Sequence, residues 1–270
     1  MANKYKRTLV IGDAHADPRF SNERFSALGN YIIATKPDNI VQIGDFGNLD
    51  SISFHNKGKP LISEGMRLSD DLASMQDAFN RIVHPMDEEN KKLSSYKHKK
   101  YKPEVYWMEG NHEDRTWRYI QDKPELSGFV PTHDFVGAAE HGFKVIPYKD
   151  YVYIEGIGFT HAPLAPSHNV ALSGKFICHR AAEGSQQSVV FGHVHHRSIH
   201  SVSRNTANSS GTTRIDSISC GCFFDYNPEY VRGNEGQLNW WRGLMMLTHI
   251  APGEVDIETI DIRRLKQDYL

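Results

Sequence analysis

The pattern that most constrains the fold occurs three times in the first half of the chain: a short apolar segment is followed closely by glycine and a polar residue. These segments are residues 8–11, 39–43 and 104–108, and the pairs that follow them are Gly12-Asp13, Gly44-Asp45 and Gly110-Asn111. Apolar residues at helical spacing lie between the segments, at residues 25–33 and 68–83, and predict two helices. Strands that alternate with helices are typical of parallel strands joined by right-handed crossovers.

The second half of the chain predicts strands in closer succession. Six segments have the apolar, β-branched or aromatic composition of strands and are separated by turn residues: 143–146, 151–160, 188–191, 215–224, 244–250 and 254–262. We expect them to form a second sheet that faces the first, with helices outside both sheets. The most polar stretch, residues 201–214, is expected to be an exposed hairpin loop. We expect residues 1–270 to form a single domain with a helical insertion around residues 50–103.

Side chains that can bind metal ions follow the predicted strands. Histidine occurs 15 times in the sequence, and it is the commonest metal ligand among protein side chains. The candidate residues are Asp13, His15, Asp45, Asn111, His112, His161, His193 and His195. Because the carboxyl ends of the strands form the ligand crevice of open α/β sheets, we expect these side chains to converge. In extended backbone, residues two apart point to the same side, so Asp13 and His15 would face one point.

The donor set favours two metal ions over one. It combines carboxylate and amide oxygens with imidazole nitrogens and contains no cysteine, which favours Mn, Fe, Zn or similar ions over a thiolate zinc site. So many donors exceed what one tetrahedral ion can bind, and two ions bridged by one carboxylate fit better. A glycine before a ligand lets the backbone approach an ion closely without a Cβ clash. The alternative is that these histidines are unrelated core or surface residues.

In chain order, the motifs Gly-Asp-x-His, Gly-Asp, Gly-Asn-His-Glu, His and Gly-His-x-His resemble those of the calcineurin-like metallophosphoesterase superfamily. They extend from Gly12 to His195, which is most of the chain. The resemblance implies an α/β fold with two facing mixed β-sheets flanked by helices, an αββα sandwich. It also implies two divalent metal ions, with Mn as the first choice and Fe, Zn, Ni or Mg as alternatives. One ion would be bound by Asp13, His15, Asp45 and His195, and the other by the bridging Asp45 with Asn111, His161 and His193.

The resemblance further implies hydrolysis of phosphate esters. Two ions about 3.5–4 Å apart would activate a bridging hydroxide as the nucleophile, with Asp45 shared between them. Asn111 and His112 would contact the phosphate, and His112 would protonate the leaving oxygen. We expect a phosphodiesterase that acts on nucleotides or nucleic acid, with a phosphomonoesterase or nucleotide pyrophosphatase as the alternative. A non-catalytic scaffold that kept the fold is less favoured, because every ligand position is filled.

Several residues are weaker candidates. Where the superfamily often has a second aspartate, this chain has Asn48, so one support of the metal ligands is in doubt. Arg115 resembles an arginine that often follows the third motif and would contact phosphate; an ion pair with Glu113 or Asp114 is the alternative. His196 is a further candidate for substrate binding. Lesser candidates near the substrate or site are His55, His168 and His179, and the basic segment 97–102 suits either nucleic acid or solvent.

Charge and hydropathy limit the partners of the chain. The formal net charge is −2, which argues against attachment to DNA or an anionic membrane by bulk charge. No segment has the length and apolarity to span a bilayer, and the N-terminal apolar segment is too short for the core of a signal peptide. We therefore expect a soluble protein of the cytoplasm with no membrane partner.

Overall fold

The computed structural model of the chain describes residues 5–165, 169–205, 212–228, 231, 233 and 239–270, and only the backbone of residues 60, 62, 205, 212 and 213. The helices are α1 (Glu23–Thr35), α2 (Pro60–Ser63), α3 (Leu68–Ser95), α4 (Asp114–Asp122), α5 (Ile177–Gly184) and α6 (Ile262–Tyr269). The first strands are β1 (Arg7–Ile11), β2 (Asn39–Gln42), β3 (Glu104–Met108), β4 (Lys144–Ile146), β5 (Val152–Ile154) and β6 (Ile157–Thr160). The later strands are β7 (Val189–Phe191), β8 (Arg197–Asn205), β9 (Thr212–Cys220), β10 (Gly243–Ala251) and β11 (Glu254–Asp261).

The strands form two mixed sheets. The first has the order β11-β10-β1-β2-β3-β4, in which β1 to β4 are parallel and β10 and β11 add antiparallel strands at one side. The second has the order β5-β6-β7-β9-β8, in which β6, β7 and β9 are parallel and the two edge strands are antiparallel. The predicted fold class is confirmed: the chain is α/β, with two mixed sheets flanked by helices.

Apolar side chains hold the layers together. Between the sheets, Val10, Val41 and Met245 of the first sheet pack with Phe159 and Ile218 of the second, all of them buried. Another apolar cluster joins the first sheet to α1, α3 and α6, and a third joins the second sheet to α5. Burial of both faces explains why the central strands read as nearly continuous apolar segments.

The assignment of the later strands to one sheet is wrong. β4, β10 and β11 belong to the first sheet, where β10 pairs with β1 and places Met245 opposite Val10. This pairing depends on the path of the chain and not on local composition. Residues 151–160 also form two strands and not one, because Glu155 and Gly156 have φ of 48° and 83° and turn the chain into a hairpin.

The prediction of an exposed loop at residues 201–214 is also wrong for most of that segment. β8 and β9 pair from Arg197 opposite Cys220 to Asn205 opposite Thr212, and residues 206–211 lie outside the described part of the chain. The strand predicted at residues 215–224 starts earlier and ends at Cys220, because Gly221 has a φ of 78°. The polar residues of this segment led to the prediction of a loop. They are also compatible with an edge strand such as β8, because one side of such a strand faces solvent.

Both predicted helices of the first half are confirmed. Helix α1 ends where Lys36 adopts a left-handed φ of 46° as its C-cap. Helix α3 contains the predicted apolar stripe and continues to Ser95, with Pro85 inside it. Residues 50–103 include α2 and α3, and α3 packs into the main core beside α1. Among the described residues, no helix is both long and apolar enough to cross a membrane.

Candidate metal centre

The candidate ligands lie in the turns that follow β1, β2, β3, β6 and β7, which places them at one end of the two sheets. Backbone hydrogen bonds tie these turns to each other. The N–H groups of Ala14 and His15 both donate to the carbonyl of Asp45, each at 3.0 Å. The N–H of His193 donates to the carboxylate of Asp13 at 2.9 and 3.0 Å. The turns therefore form one connected unit.

Left-handed backbone occurs at four of the candidate ligands. His15, Asp45, His193 and His195 have φ of 44°, 48°, 70° and 59°. The expectation that Asp13 and His15 converge because their backbone is extended is wrong, since a tight turn brings them together. Non-glycine residues in this conformation each cost about 1–3 kcal/mol. The same conformation also occurs outside the candidate site, so it shapes these turns and is not by itself an indication of function.

One cluster of ligand atoms comprises Asp13, His15 and His195. The Nε2 atoms of His15 and His195 lie 3.1 Å apart, and Asp13 Oδ2 lies 3.1 Å from His195 Nε2. Their ligand atoms all lie within 4.8 Å of one another, and the three residues are buried. This is the predicted first ligand set without the bridging Asp45, which groups separately with His15 and His112.

A second cluster comprises Asp45, Asn111, His161 and His193. Asn111 Oδ1 lies 3.0 Å from His161 Nε2 and 2.8 Å from His193 Nδ1, and Asp45 Oδ2 lies 3.4 Å from His161 Nε2. The structure therefore brings all seven predicted ligands together, with Asp45 in the second cluster and next to His15 but outside the group of Asp13, His15 and His195. Binding of the ions themselves stays a prediction.

The arrangement of donors fits divalent cations. The buried Nδ1 of His15 has no hydrogen-bond partner among the described residues. The Nε2 atoms of His15 and His195 face each other at 3.1 Å and can share a hydrogen bond only when one of them carries a proton. A cation between the two facing nitrogens would satisfy both. His161 Nδ1 faces the carbonyl of Ile43 at 3.2 Å, and a hydrogen bond there leaves Nε2 directed into the cluster. This is the outer contact that commonly orients a metal-binding imidazole.

Glycine at two positions allows the turns to approach the carboxylates. A Cβ built on Gly110 would collide with Asp45 Oδ1, and one built on Gly192 would collide with Asp13 Oδ1. Neither glycine has a positive φ. Their role is therefore close approach, as the sequence predicts, and any larger residue would displace a candidate ligand.

The two aspartates are ionised. Burial alone would raise the pKa of Asp13 and Asp45, but nearby imidazoles outweigh it, and the pKa of Asp45 falls well below its ordinary value. Burial alone would lower the pKa of His161, but the charge of Asp45 outweighs it and raises this pKa to about 9. Burial lowers the pKa of His15 and His193. Without metal ions the cluster is thus an anionic site that holds a proton on His161.

His112 is a neutral ring with its proton on Nδ1. Nδ1 faces the backbone carbonyl of Asn48 at 2.7 Å, and Nε2 faces Arg115 Nη2 at 2.9 Å. Because a carbonyl only accepts and a guanidinium only donates, Nε2 must be the unprotonated nitrogen. Burial lowers the pKa of His112 to about 3, and the charge of Arg115 adds to this effect while that of Asp45 opposes it. In this arrangement His112 is an acceptor.

The alternative partners expected for Arg115 are wrong. Arg115 contacts Asp50 at 3.3 Å and the carbonyl of Asn48 at 2.7 Å, and it pairs with neither Glu113 nor Asp114. Asp114 pairs with Arg118 one helical turn later. Asn48 forms hydrogen bonds with residues beside the predicted ligands and with none of the ligands themselves. Its carbonyl positions both His112 and Arg115, and its side chain donates to Asp17 and Asp50.

Glu113 is a site residue whose role sequence reasoning missed. Its buried carboxylate accepts the backbone N–H groups of Asp45, Gly47 and Gly110 at 3.0, 3.1 and 2.8 Å. It therefore joins the turn that follows β2 to the turn that follows β3. Burial and the charge of Asp45 raise the pKa of Glu113 to about 7, although these hydrogen bonds lower it. The Glu directly after the Asn-His pair was the available signal.

Replacing Glu113 with alanine is expected to lower the free energy of unfolding by about 3 kcal/mol or more, because three buried N–H groups would lose their acceptor. Urea unfolding monitored by circular dichroism measures this change. Glu125→Ala, at an exposed glutamate that follows α4, is the matched control and should change stability by about 0.5 kcal/mol or less. Equal losses for the two variants would contradict the assigned role of Glu113.

The weaker candidates are dispersed. His55 lines, with Asn111 and Arg115, a cavity of about 420 Å³ beside the metal centre. His196 is 9% exposed and does not line that cavity. His179 is exposed on α5, with its ring 4.8 Å from that of His200, and His168 lies outside the described residues. The basic segment 97–102 precedes β3 and therefore lies at the opposite end of the parallel strands from the metal centre.

The chain has distant similarity to known proteins. No family model matches the sequence. The chain is 26% identical over 263 residues to a protein of Mycobacterium phage L5 named "Gene 54 protein", and the match covers 93% of this chain and 94% of that protein. A solved structure shares 9% identity at a TM-score of 0.40, covering 94% of this chain and 99% of the other. Similarity at this level supports no inference about the function.

Proposed function

We propose that this chain is a dinuclear metal-dependent hydrolase of phosphate esters and a member of the calcineurin-like metallophosphoesterase superfamily. The observation that carries the proposal is the convergence of histidine and aspartate ligand atoms within 4.8 Å of one another in three overlapping groups. Asp13, His15, Asp45 and His195 would hold one ion, and Asp45, Asn111, His161 and His193 the other. Two bound divalent ions, with Mn as the first choice, would supply positive charge that attracts a phosphate group and acidifies water.

The chain's own side chains would orient the phosphate ester. Asn111 contributes an uncharged oxygen, so it adds no negative charge that would repel the phosphate. The Nε2 of His112 lies 3.7 Å from Asp45 Oδ2, and His112 forms a group of possible ligand atoms with His15 and Asp45. A phosphate held there would bring negative charge next to His112 and raise its pKa. If Arg115 then turned its guanidinium to a phosphate oxygen, His112 Nε2 would be free to carry a proton to the leaving oxygen.

A phosphodiesterase that acts on nucleotides or nucleic acid is the proposed activity. The cavity of about 420 Å³ next to Asn111 is much larger than a phosphate group, which supports an ester with a sizeable organic part. Filled ligand positions argue against the alternative of a non-catalytic scaffold. Preference for a monoester would instead identify a phosphomonoesterase.

The direct test is hydrolysis of bis-p-nitrophenyl phosphate and p-nitrophenyl phosphate by the full chain loaded with Mn²⁺. We expect turnover of both, with the diester preferred, abolition of turnover by EDTA and recovery on readdition of Mn²⁺. Absence of turnover with either compound, over a range of divalent ions, would favour the scaffold and refute the proposal. Faster hydrolysis of the monoester would refute the phosphodiesterase assignment alone.

Metal affinity is expected to rise with pH. His161 has a pKa of about 9 in the metal-free chain, so a metal ion that binds at neutral pH must displace its proton. Below that pKa, release of one proton strengthens apparent binding by about tenfold per pH unit. Titration calorimetry with Mn²⁺ at pH 6, 7 and 8 measures this slope. An affinity that is constant across these pH values would contradict the placement of His161 in the metal centre.

A further inference from the structure

The cavity beside Asn111 has a lining that the hydrolysis of a phosphate group does not require. Apart from Asn111 it is lined most notably by Phe54, His55, Arg115, Arg118, Tyr148 and Lys149. Its volume of about 420 Å³ is that of a small-molecule site. None of these six residues is a candidate metal ligand. Three of the six are cationic and two are aromatic, and Asp114 is the one acid among the described residues that also lines the cavity, so the lining indicates a ligand with both negative charge and a flat apolar surface.

Of the lysine and the two arginines in the lining, Lys149 has no ion-pair partner among the described residues. Arg115 is paired with Asp50 at 3.3 Å, and Arg118 is paired with Asp114 at 2.9 Å. Lys149, by contrast, is exposed and forms no ion pair with any of the described residues. Its Nζ lies 5.8 Å from the centre of the Tyr148 ring. The wall of the cavity therefore presents an uncompensated positive charge next to an aromatic ring.

The aromatic residues connect this charge to the metal centre. Tyr148 is the residue before Lys149, and its ring lies 5.9 Å from the ring of His161 in an edge-to-face arrangement. Phe54 is 42% exposed although it lies on the cavity wall. Exposed aromatic side chains beside cations are the features that bind nucleobases and their attached phosphates.

We propose that this cavity binds the organic part of a nucleotide substrate, with the base against Phe54 and Tyr148 and a second phosphate group at Lys149. The inference rests on the proposed function, because Asn111 joins the cavity to the metal centre. It narrows the proposed nucleotide substrate to one that carries a further negative charge besides the phosphate group at the metal centre, and it places the base and that charge in the cavity. An ester with only an alkyl or sugar group would have no planar ring to stack against Phe54 and Tyr148 and no second negative charge to pair with Lys149.

Equilibrium binding to the full chain loaded with Mn²⁺, with the probes checked for hydrolysis after each titration, tests this inference by affinity and not by turnover. The probes are adenosine 3′,5′-bisphosphate, adenosine 5′-monophosphate and ribose 5-phosphate, measured by titration calorimetry. We expect affinity to fall in that order. Lys149→Ala should weaken binding of the bisphosphate by about tenfold, with the monophosphate much less affected, and Lys149→Arg should retain binding. Phe54→Ala should weaken binding of both adenine compounds by about fivefold or more and leave ribose 5-phosphate unchanged.

Lys99→Ala, which removes the same charge at the far end of the parallel strands, is the matched control and should bind all three probes as the unaltered chain does. The inference is overturned if the bisphosphate binds no tighter than the monophosphate and ribose 5-phosphate, or if Lys149→Ala behaves like Lys99→Ala. Its failure is distinguishable from that of the proposed function. A chain that binds nucleotide but hydrolyses no ester loses only the hydrolase assignment, whereas one that hydrolyses esters without discrimination among these probes loses only this inference.

Discussion

Replacing Asp45 with alanine is expected to leave fewer than two divalent ions bound per chain and to reduce hydrolysis by about a thousandfold or more. Asp45 is the only residue common to both predicted ligand sets, and its Oδ1 also accepts the N–H of His112 at 2.8 Å. Its carbonyl accepts the N–H groups of Ala14 and His15. Loss of the carboxylate therefore removes a ligand of both ions and a contact that positions His112. Elemental analysis of the purified variant and steady-state kinetics measure the two effects.

Two further variants distinguish the loss of the negative charge of Asp45 from a general loss of folding. Asp45→Asn keeps an oxygen that can accept the N–H of His112 but removes the negative charge, so it should fold normally and still lose metal. Asp38→Ala, at the other end of β2, removes an aspartate that accepts the N–H of Arg7 at 2.8 Å and should keep both ions. If Asp45→Ala still carried two ions per chain, the bridging assignment would be wrong.

Replacing His112 with alanine is expected to slow turnover about a hundredfold or more for diesters with alkoxide leaving groups, while both ions stay bound. The loss should be much smaller for p-nitrophenyl esters, because p-nitrophenolate leaves without a proton. His112 belongs to neither predicted ligand set, and its Nδ1 is held by the carbonyl of Asn48. The dependence of kcat on the pKa of the leaving group, together with metal content, measures this role.

His179→Ala is the control for His112→Ala, because His179 is an exposed histidine on α5 whose ring contacts that of His200. It should change neither metal content nor turnover. A uniform loss for His112→Ala, independent of the leaving group, would refute the role of His112 as an acid. Loss of a metal ion would instead assign it to the group of ligand atoms that it forms with His15 and Asp45.

Local sequence was enough to predict the central strands and the residues at their ends. The segments that precede Asp13, Asp45 and Asn111 are apolar because their strands are buried on both faces, and that requirement is visible in composition. Glycine at positions 110 and 192 was also predicted to permit close approach, and the positions of Asp45 and Asp13 explain why. Each of these features depends on a few neighbouring residues.

Features that depend on distant residues were predicted poorly. The extended backbone expected at His15 is left-handed, because the turns are shaped by hydrogen bonds to other turns. The acceptors Asn48 and Asp50 of Arg115, and two of the three donors to Glu113, come from the second motif and the residues just after it, which are remote in sequence. The sheet to which β10 belongs depends on its pairing with β1 at the other end of the chain.

By itself, the sequence determined which side chains are available as ligands and that each follows a buried strand, because strand burial and turn chemistry are recorded in short segments. Only the tertiary structure decided how those side chains are grouped, which backbone groups hold them, and that Lys149 and Phe54 line a cavity next to Asn111. The physical reason is that distances between atoms of remote segments follow from the packing of whole layers, and no local pattern of residues encodes them.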